Sequence, residues 1–139
     1  MALWTFLDYV EISGRNPIRD WLNGILEEDQ AKIDARLLLM MAMPPPWPEK
    51  WISKYRGTEL FEFRITGKKV QYRPLGIYFG KMTYIILAGT IERGDKIPKR
   101  DVETAVQRLS NLRKDQRHAT VHDFGAEDDL EEDGTEKLS

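Results

Sequence analysis

Residues 51–100 constrain the fold more than any other part of the chain. Apolar and polar residues alternate over Thr58–Thr66, Lys69–Phe79 and Met82–Ile91 with the period of two that a half-buried strand requires. In the first run Phe61, Phe63 and Ile65 fall on one face, Glu62 and Arg64 on the other. Three such runs in succession predict a sheet with one packed face and one face free for work. The stretch 50–100 also carries 12 Lys/Arg against 4 Asp/Glu, a net of +8 in a chain whose total is −2. Charge segregated on this scale points to a polyanionic partner.

The segments around this block supply something for the sheet to pack against. Leu3–Glu11 is rich in aromatic and β-branched residues and stops at Ser13-Gly14, which predicts a first strand. Asn16-Pro17 then predicts a helix start, with asparagine as cap and proline at the first helical position, where its missing N–H costs nothing. Ile18, Trp21, Leu22 and Ile25 form one apolar stripe behind it. A second helix begins among Glu27, Glu28 and Asp29, whose charges suit a helix N-terminus. It buries Ile33, Leu37, Met40 and Met41 until Pro44-Pro45-Pro46-Trp47-Pro48 stops it. That run reads as a stiff connector, with Trp47 and Trp51 sealing it against the core; stacking of the two tryptophans on bases is the alternative. Pro98 opens a last helix with Val102, Ala105, Val106, Leu109 and Leu112 on one side, ending near Lys114–Arg117.

At 139 residues, 41% of them hydrophobic, the chain suffices for a single core. The expected organisation is one domain over 1–117 and a disordered acidic tail over 118–139. From Asp123 to Ser139 the chain holds 8 Asp/Glu against 1 Lys, too few apolar residues to order itself. The chain has no cysteine, which excludes disulfides and thiolate metal sites. His118 and His122 read as solvated surface residues with no third ligand near them, so no metal and no cofactor is expected. No apolar run has the length of a membrane span, and the N-terminus turns acidic too early for a signal peptide, so the expected location is the cytoplasm.

The order strand, helix, helix, three strands, helix, with a basic second half, resembles the RelE/HigB superfamily of toxins, most closely its phage-derived HigB-like branch. The residues that carry the resemblance are Lys54-Tyr55-Arg56-Gly57-Thr58-Glu59-Leu60-Phe61-Glu62-Phe63-Arg64, then Val70-Gln71-Tyr72-Arg73-Pro74-Leu75, then Lys96-Ile97-Pro98-Lys99-Arg100. The likeness covers roughly residues 3–114. It implies an α+β fold, a single RelE-like domain whose small, largely antiparallel sheet is backed by helices. It also implies cleavage of messenger RNA in the ribosomal A site, beside 16S rRNA, and a neighbouring helix-turn-helix antitoxin. The sequence departs from the family at one place: a histidine and a Lys-Lys pair are common where this chain has Ala88 and Glu92-Arg93.

Read as chemistry, cleavage of RNA by its own 2′-hydroxyl needs a base, cations around the phosphorane and an acid for the leaving oxygen, and needs no metal. Arg64 and Arg73, on adjacent strands, are the candidates for bracketing one phosphate and holding its charge. Lys54 is a candidate base where neighbouring cations depress its pKa. Arg56, Lys68, Lys69, Arg93, Lys96, Lys99 and Arg100 are candidates for binding RNA, and Lys68 and Lys69 alternatively guard a sheet edge. Tyr72 is expected in the core, whereas Tyr55 or Tyr78 could stack a base or handle a proton. Ala88 in place of histidine favours two alternatives: a non-enzymatic ParE-like inhibitor acting by protein–protein contact, or a phage nucleic-acid-binding protein without nuclease activity. Fold alone does not separate the three. A further expectation is that the acidic tail competes with RNA for the basic face, against the simpler reading of a solubilising tail.

Overall fold

Phe6 and Asp8 leave the first strand, β1 (Thr5–Tyr9), on one side and Leu7 and Tyr9 on the other, and both sides are covered. This alternation is the plan of the whole molecule in the computed structural model, which describes residues 4–43 and 45–124. Helices α1 (Pro17–Asn23) and α2 (Glu27–Met41) follow β1 in the chain. Next come strands β2 (Ile52–Lys54), β3 (Phe61–Phe63), β4 (Ile65–Thr66), β5 (Gln71–Tyr72), β6 (Leu75–Tyr78) and β7 (Thr83–Ala88). Helix α3 (Lys99–Lys114), a short 3-10 turn at Gln116–His118 and strand β8 (Ala119–Val121) complete the described residues. Six of these strands form one sheet in the order β2-β3-β6-β7-β1-β8, parallel only between β1 and β7. The result is a small α+β fold with a mixed, largely antiparallel sheet.

Each face of the sheet has its own core. Phe6, Phe63, Tyr84 and Ile86 pack with Ile18 and Leu22 of α1 and with Ile33, Leu37 and Met40 of α2. On the opposite face Tyr9, Leu75, Ile77, Ile85 and Leu87 meet Ala105, Leu109 and Leu112 of α3. Strands covered on both faces read as near-continuous apolar runs, which is why Tyr84-Ile85-Ile86-Leu87 carries no polar residue. The helix starts follow local chemistry. Asn16 Oδ1 accepts the Arg19 amide at 2.8 Å with Pro17 in the first turn, and Glu27, Glu28 and Asp29 occupy the first turn of α2. Trp47 is buried in an aromatic cluster with Trp4, Phe6 and Tyr78, and Trp51 lies under the Arg36 guanidinium at 4.8 Å. Both tryptophans therefore pack as connector seals.

Three expectations need correction. The long strands Thr58–Thr66 and Lys69–Phe79 are each broken in two, and β4 and β5 form a separate two-stranded ribbon. The two halves of this hairpin nevertheless share one register, since Glu62 lies opposite Leu75 and Ile65 opposite Tyr72. The interruption falls at Pro74: Phe63 donates its amide to the Pro74 carbonyl at 2.9 Å, but proline has no N–H to return. β2 was not expected, because three residues give too little alternation to read. The third correction concerns the boundary at 117. β8 pairs with β1, His122 and Phe124 are buried, and the body extends at least to residue 124. Leu3, Pro44 and the acidic stretch 125–139 lie outside the described residues. No helix among the described residues is long and apolar enough to cross a membrane.

Gly89, just past the end of β7, lies directly against Trp21 of α1. A Cβ there would lie 1.9 Å from the Trp21 ring of α1, and the rigid indole cannot yield as a flexible chain end would. Gly89→Ala is expected to destabilise the protein by about 1–3 kcal/mol through overpacking. A thermal melt that matches the wild type would show that α1 can shift to admit the methyl.

Candidate functional site

The hairpin that the proline interrupts also holds a cleft lined by many charged residues. Because both ladders keep one register, residue 64 stands opposite residue 73 across the gap. Neither arginine sits within a regular strand: Arg64 lies between β3 and β4, Arg73 between β5 and β6. Their amides bond outward, Arg64 to the Trp51 carbonyl and Arg73 to the Thr90 carbonyl, each at 2.8 Å. Both side chains line a cleft of about 550 Å³ on the α3 side of the sheet, shared with Lys54, Tyr55, Arg56, Glu62, Glu92, Asp95, Lys96 and Ile97.

The two arginines are held differently. Arg73 is only 12% exposed and gives N–H groups to the Tyr72 carbonyl at 3.0 Å and to Gln71 Oε1 at 3.4 Å, while its Nη2 pairs with Glu92 Oε1 at 3.0 Å. Arg64 is 47% exposed, and its guanidinium grips Glu62 Oε1 alone, from Nε at 3.1 Å and Nη2 at 3.0 Å. A guanidinium has five N–H donors, so both keep some free for an incoming anion. One arginine is walled in and the other stands half in solvent. The far side of the cleft is a tight turn, Arg93–Lys96, closed by hydrogen bonds in both directions. Gly94 and Asp95 take φ of +56° and +65°, the left-handed pair that such a turn demands and that Gly and Asp tolerate best.

Of the residues expected at the site, the fold brings together Lys54, Arg56, Arg64, Arg73 and Lys96. Lys68 and Lys69 are exposed at the far tip of the hairpin, where Lys68 Nζ meets Glu28 at 3.6 Å and its amide bonds Asp29. Arg93 is exposed on the turn, and Lys99 and Arg100 at the start of α3, none of them among the residues lining the cleft. Tyr72 is core as expected: its hydroxyl donates to the buried Asp29 at 2.6 Å. Burial and that carboxylate push the Tyr72 phenol up to about 12, and the same bond holds Asp29 below its ordinary range. Tyr78 belongs to the aromatic cluster on the opposite face, with burial raising its pKa, so Tyr55 is the tyrosine that reaches the cleft. Ala88 is buried against the α3-side core.

The glutamates of the cleft were not expected there, although Glu62 shares its strand face with Arg64 two residues on. The largest surprise is His122, expected in solvent and found 2% exposed. Its Nδ1 faces Asp8 at 2.7 Å and its Nε2 faces Asp34 at 3.1 Å, while Asn16 donates to the other Asp8 oxygen at 3.0 Å. Burial alone would pull the imidazole down; the hydrogen bonds to Asp34 and Asp8 outweigh it and raise the pKa to about 9. The doubly donating imidazolium ties β1, α2 and the end of β8 together, on the face opposite the cleft.

A kinked hairpin with facing arginines on a sheet between helices defines a class: small α+β proteins with a charged cleft in which cations outnumber carboxylates. This chain belongs to the family described as phage derived protein Gp49-like (DUF891), whose model matches residues 20–110. It is a family of RelE/HigB-type toxins, associated with toxin–antitoxin systems. No curated protein matches the chain.

The position of Lys68 and Lys69 gives a further expected result. If the basic face takes the RNA expected from the sequence, Lys68→Ala and Lys69→Ala should each weaken its binding slightly and uniformly, and lower the slope of log affinity against log salt by about one at most. Lys54→Ala and Lys96→Ala, inside the cleft, should cost more. Salt titrations of all four variants check this, and a larger loss at the hairpin tip than in the cleft would displace the binding face.

Proposed function

We propose that this protein is the toxin of a type II toxin–antitoxin pair, in the HigB-like branch of RelE-fold proteins, and that it cleaves messenger RNA in the ribosomal A site. The observation that carries the reading is the convergence of Lys54, Arg56, Arg64, Arg73 and Lys96 on one cleft of phosphate-accommodating size. Cleavage by the 2′-hydroxyl asks mainly for cations placed around the phosphorus, and donors preorganised in a partly buried site act with more force than in water. Arg73, fixed by its acceptors, and Arg64, half in solvent, supply such donors from opposite sides. Lys54, Arg56 and Lys96 neutralise the strand on either side, and Tyr55 offers a ring for a base. The partner that restrains the toxin is a small helix-turn-helix antitoxin.

One observation favours a second reading. Both arginines are already paired with glutamates, and the position at which relatives carry histidine is the buried Ala88. A non-enzymatic ParE-like inhibitor, acting by protein–protein contact, would need no free phosphate clamp, and a phage nucleic-acid-binding protein without nuclease activity would need no histidine. Inducible expression with primer extension on a reporter message separates them. Codon-positioned cuts are the expected result; growth arrest without cuts would select the inhibitor, and neither would select the binding protein.

A further inference from the structure

The cleft has its cations but no histidine to move a proton. His118 stacks on Tyr9, His122 is sealed on the opposite face, and Ala88 is buried. Besides the Tyr55 hydroxyl, the side-chain proton acceptors that line the cleft are the carboxyl groups of Glu62, Glu92 and Asp95. They are not equivalent. Glu62 has its Oε1 engaged by two N–H groups of Arg64, and its side chain is 11% exposed. Asp95 stands exposed at the apex of the Arg93–Lys96 turn. Glu92 is 22% exposed and takes one contact, at Oε1, from Arg73, which the Tyr72 carbonyl and Gln71 fix in turn. Its backbone is fixed as well, the amide bonding the Gln71 carbonyl at 2.9 Å. Glu92 is the carboxylate that is both oriented and open.

We propose that Glu92 is the proton acceptor at the 2′-hydroxyl of the RNA, a role that rests on the ribonuclease reading above. The 2′-hydroxyl gives its proton to a Glu92 carboxylate oxygen while its own oxygen bonds to phosphorus. The bond from phosphorus to the 5′-oxygen breaks, that oxygen takes a proton from water, and Glu92 returns its proton to the hydroxide so formed. The products are a 2′,3′-cyclic phosphate and a 5′-hydroxyl, with no oxidant, reductant or further reactant. Arg73 has a double task in this arrangement: it orients Glu92 and faces the phosphate that Arg64 receives from across the hairpin. A base at residue 92 would supply the proton acceptor that alanine at residue 88 cannot.

The test uses ribosomes programmed with a reporter message, single-turnover cleavage rates, and binding to the same message carrying a 2′-deoxy nucleotide at the cut site. Glu92→Gln is expected to lower the rate by about 10²–10³-fold, as loss of a general base does. Its binding to the deoxy message should stay within about twofold of wild type. Glu92→Asp should recover part of the rate, and the rise of rate with pH seen at the acid end for the wild type should vanish in Glu92→Gln. A Glu92→Gln protein that cleaves at the wild-type rate, keeps the acid-side rise, or loses rate only in step with binding overturns the assignment. So does a Glu62→Gln variant that alone abolishes the acid-side rise. Wild-type protein that cuts no message under these conditions overturns the ribonuclease reading itself, and the role of Glu92 with it.

Discussion

On the ribonuclease reading proposed above, Arg73→Ala is expected to lower message cleavage by about 10²–10³-fold and to abolish growth arrest, the loss typical of removing one preorganised donor from a transition state. Arg64→Ala should fall in the same range by another route. Arg64 holds only Glu62 and is half in solvent, so its removal should leave the melting temperature within a few degrees of wild type. Arg73 is nearly buried and bonds the Tyr72 carbonyl, Gln71 and Glu92, so its removal costs some stability as well. Arg73→Lys keeps the charge but not the fork of donors, and should recover little. Cleavage rates, growth curves and melts of the three variants, each shown to accumulate to the wild-type level, check the expectation. Growth arrest of wild-type strength from a folded Arg73→Ala protein would remove Arg73 from the chemistry.

His122→Ala should be the most destabilising change among the polar residues described. It leaves Asp8, fully buried, without the cation that compensates it, and breaking such a pair from one side typically costs about 3–5 kcal/mol. In a domain of this size that corresponds to a fall of roughly 10–20 °C in melting temperature. The same group predicts a pH dependence. Its pKa in the fold, about 9, lies above the ~6.5 of an unfolded histidine, so the folded state holds the proton more tightly. The stabilisation is complete below about pH 6.5 and is lost as pH rises through about 9, for a total of order 3 kcal/mol. Melts between pH 6 and 10 should show wild-type stability declining in that window and a His122→Gln variant, lower throughout, declining less. Parallel curves for the two proteins would mean that another group titrates.

The parts of the fold that were legible in the sequence are those whose signal is local. Asn16-Pro17 opens α1 because cap and first turn lie side by side in the chain, and Phe61, Phe63 and Ile65 declare a face by spacing alone. The opposition of Arg64 and Arg73 was readable too, because a hairpin converts distance from its turn into register. What could not be read depends on partners remote in sequence. The segment Ala119–Phe124 looks like the approach to a solvated tail, since its burial comes from Asp8 and Asp34, 114 and 88 residues away from His122. Glu62 and Glu92 joined the site for the same reason: each is an ordinary surface carboxylate until the hairpin folds it against an arginine.

The seat of β1 within the sheet fixes an order of events. Its ladder partners are β7, which begins at Thr83, and β8, which begins at Ala119. A ribosome making this chain therefore holds out a first strand that has nothing to pair with until residue 83 has been joined. Parallel pairing across so long a separation closes slowly in any case. Glu92 and Lys96 follow β7 by only a few residues, so the cleft comes into being in the same interval as the sheet. Until then the arginines of the hairpin stand on a surface without its opposite wall.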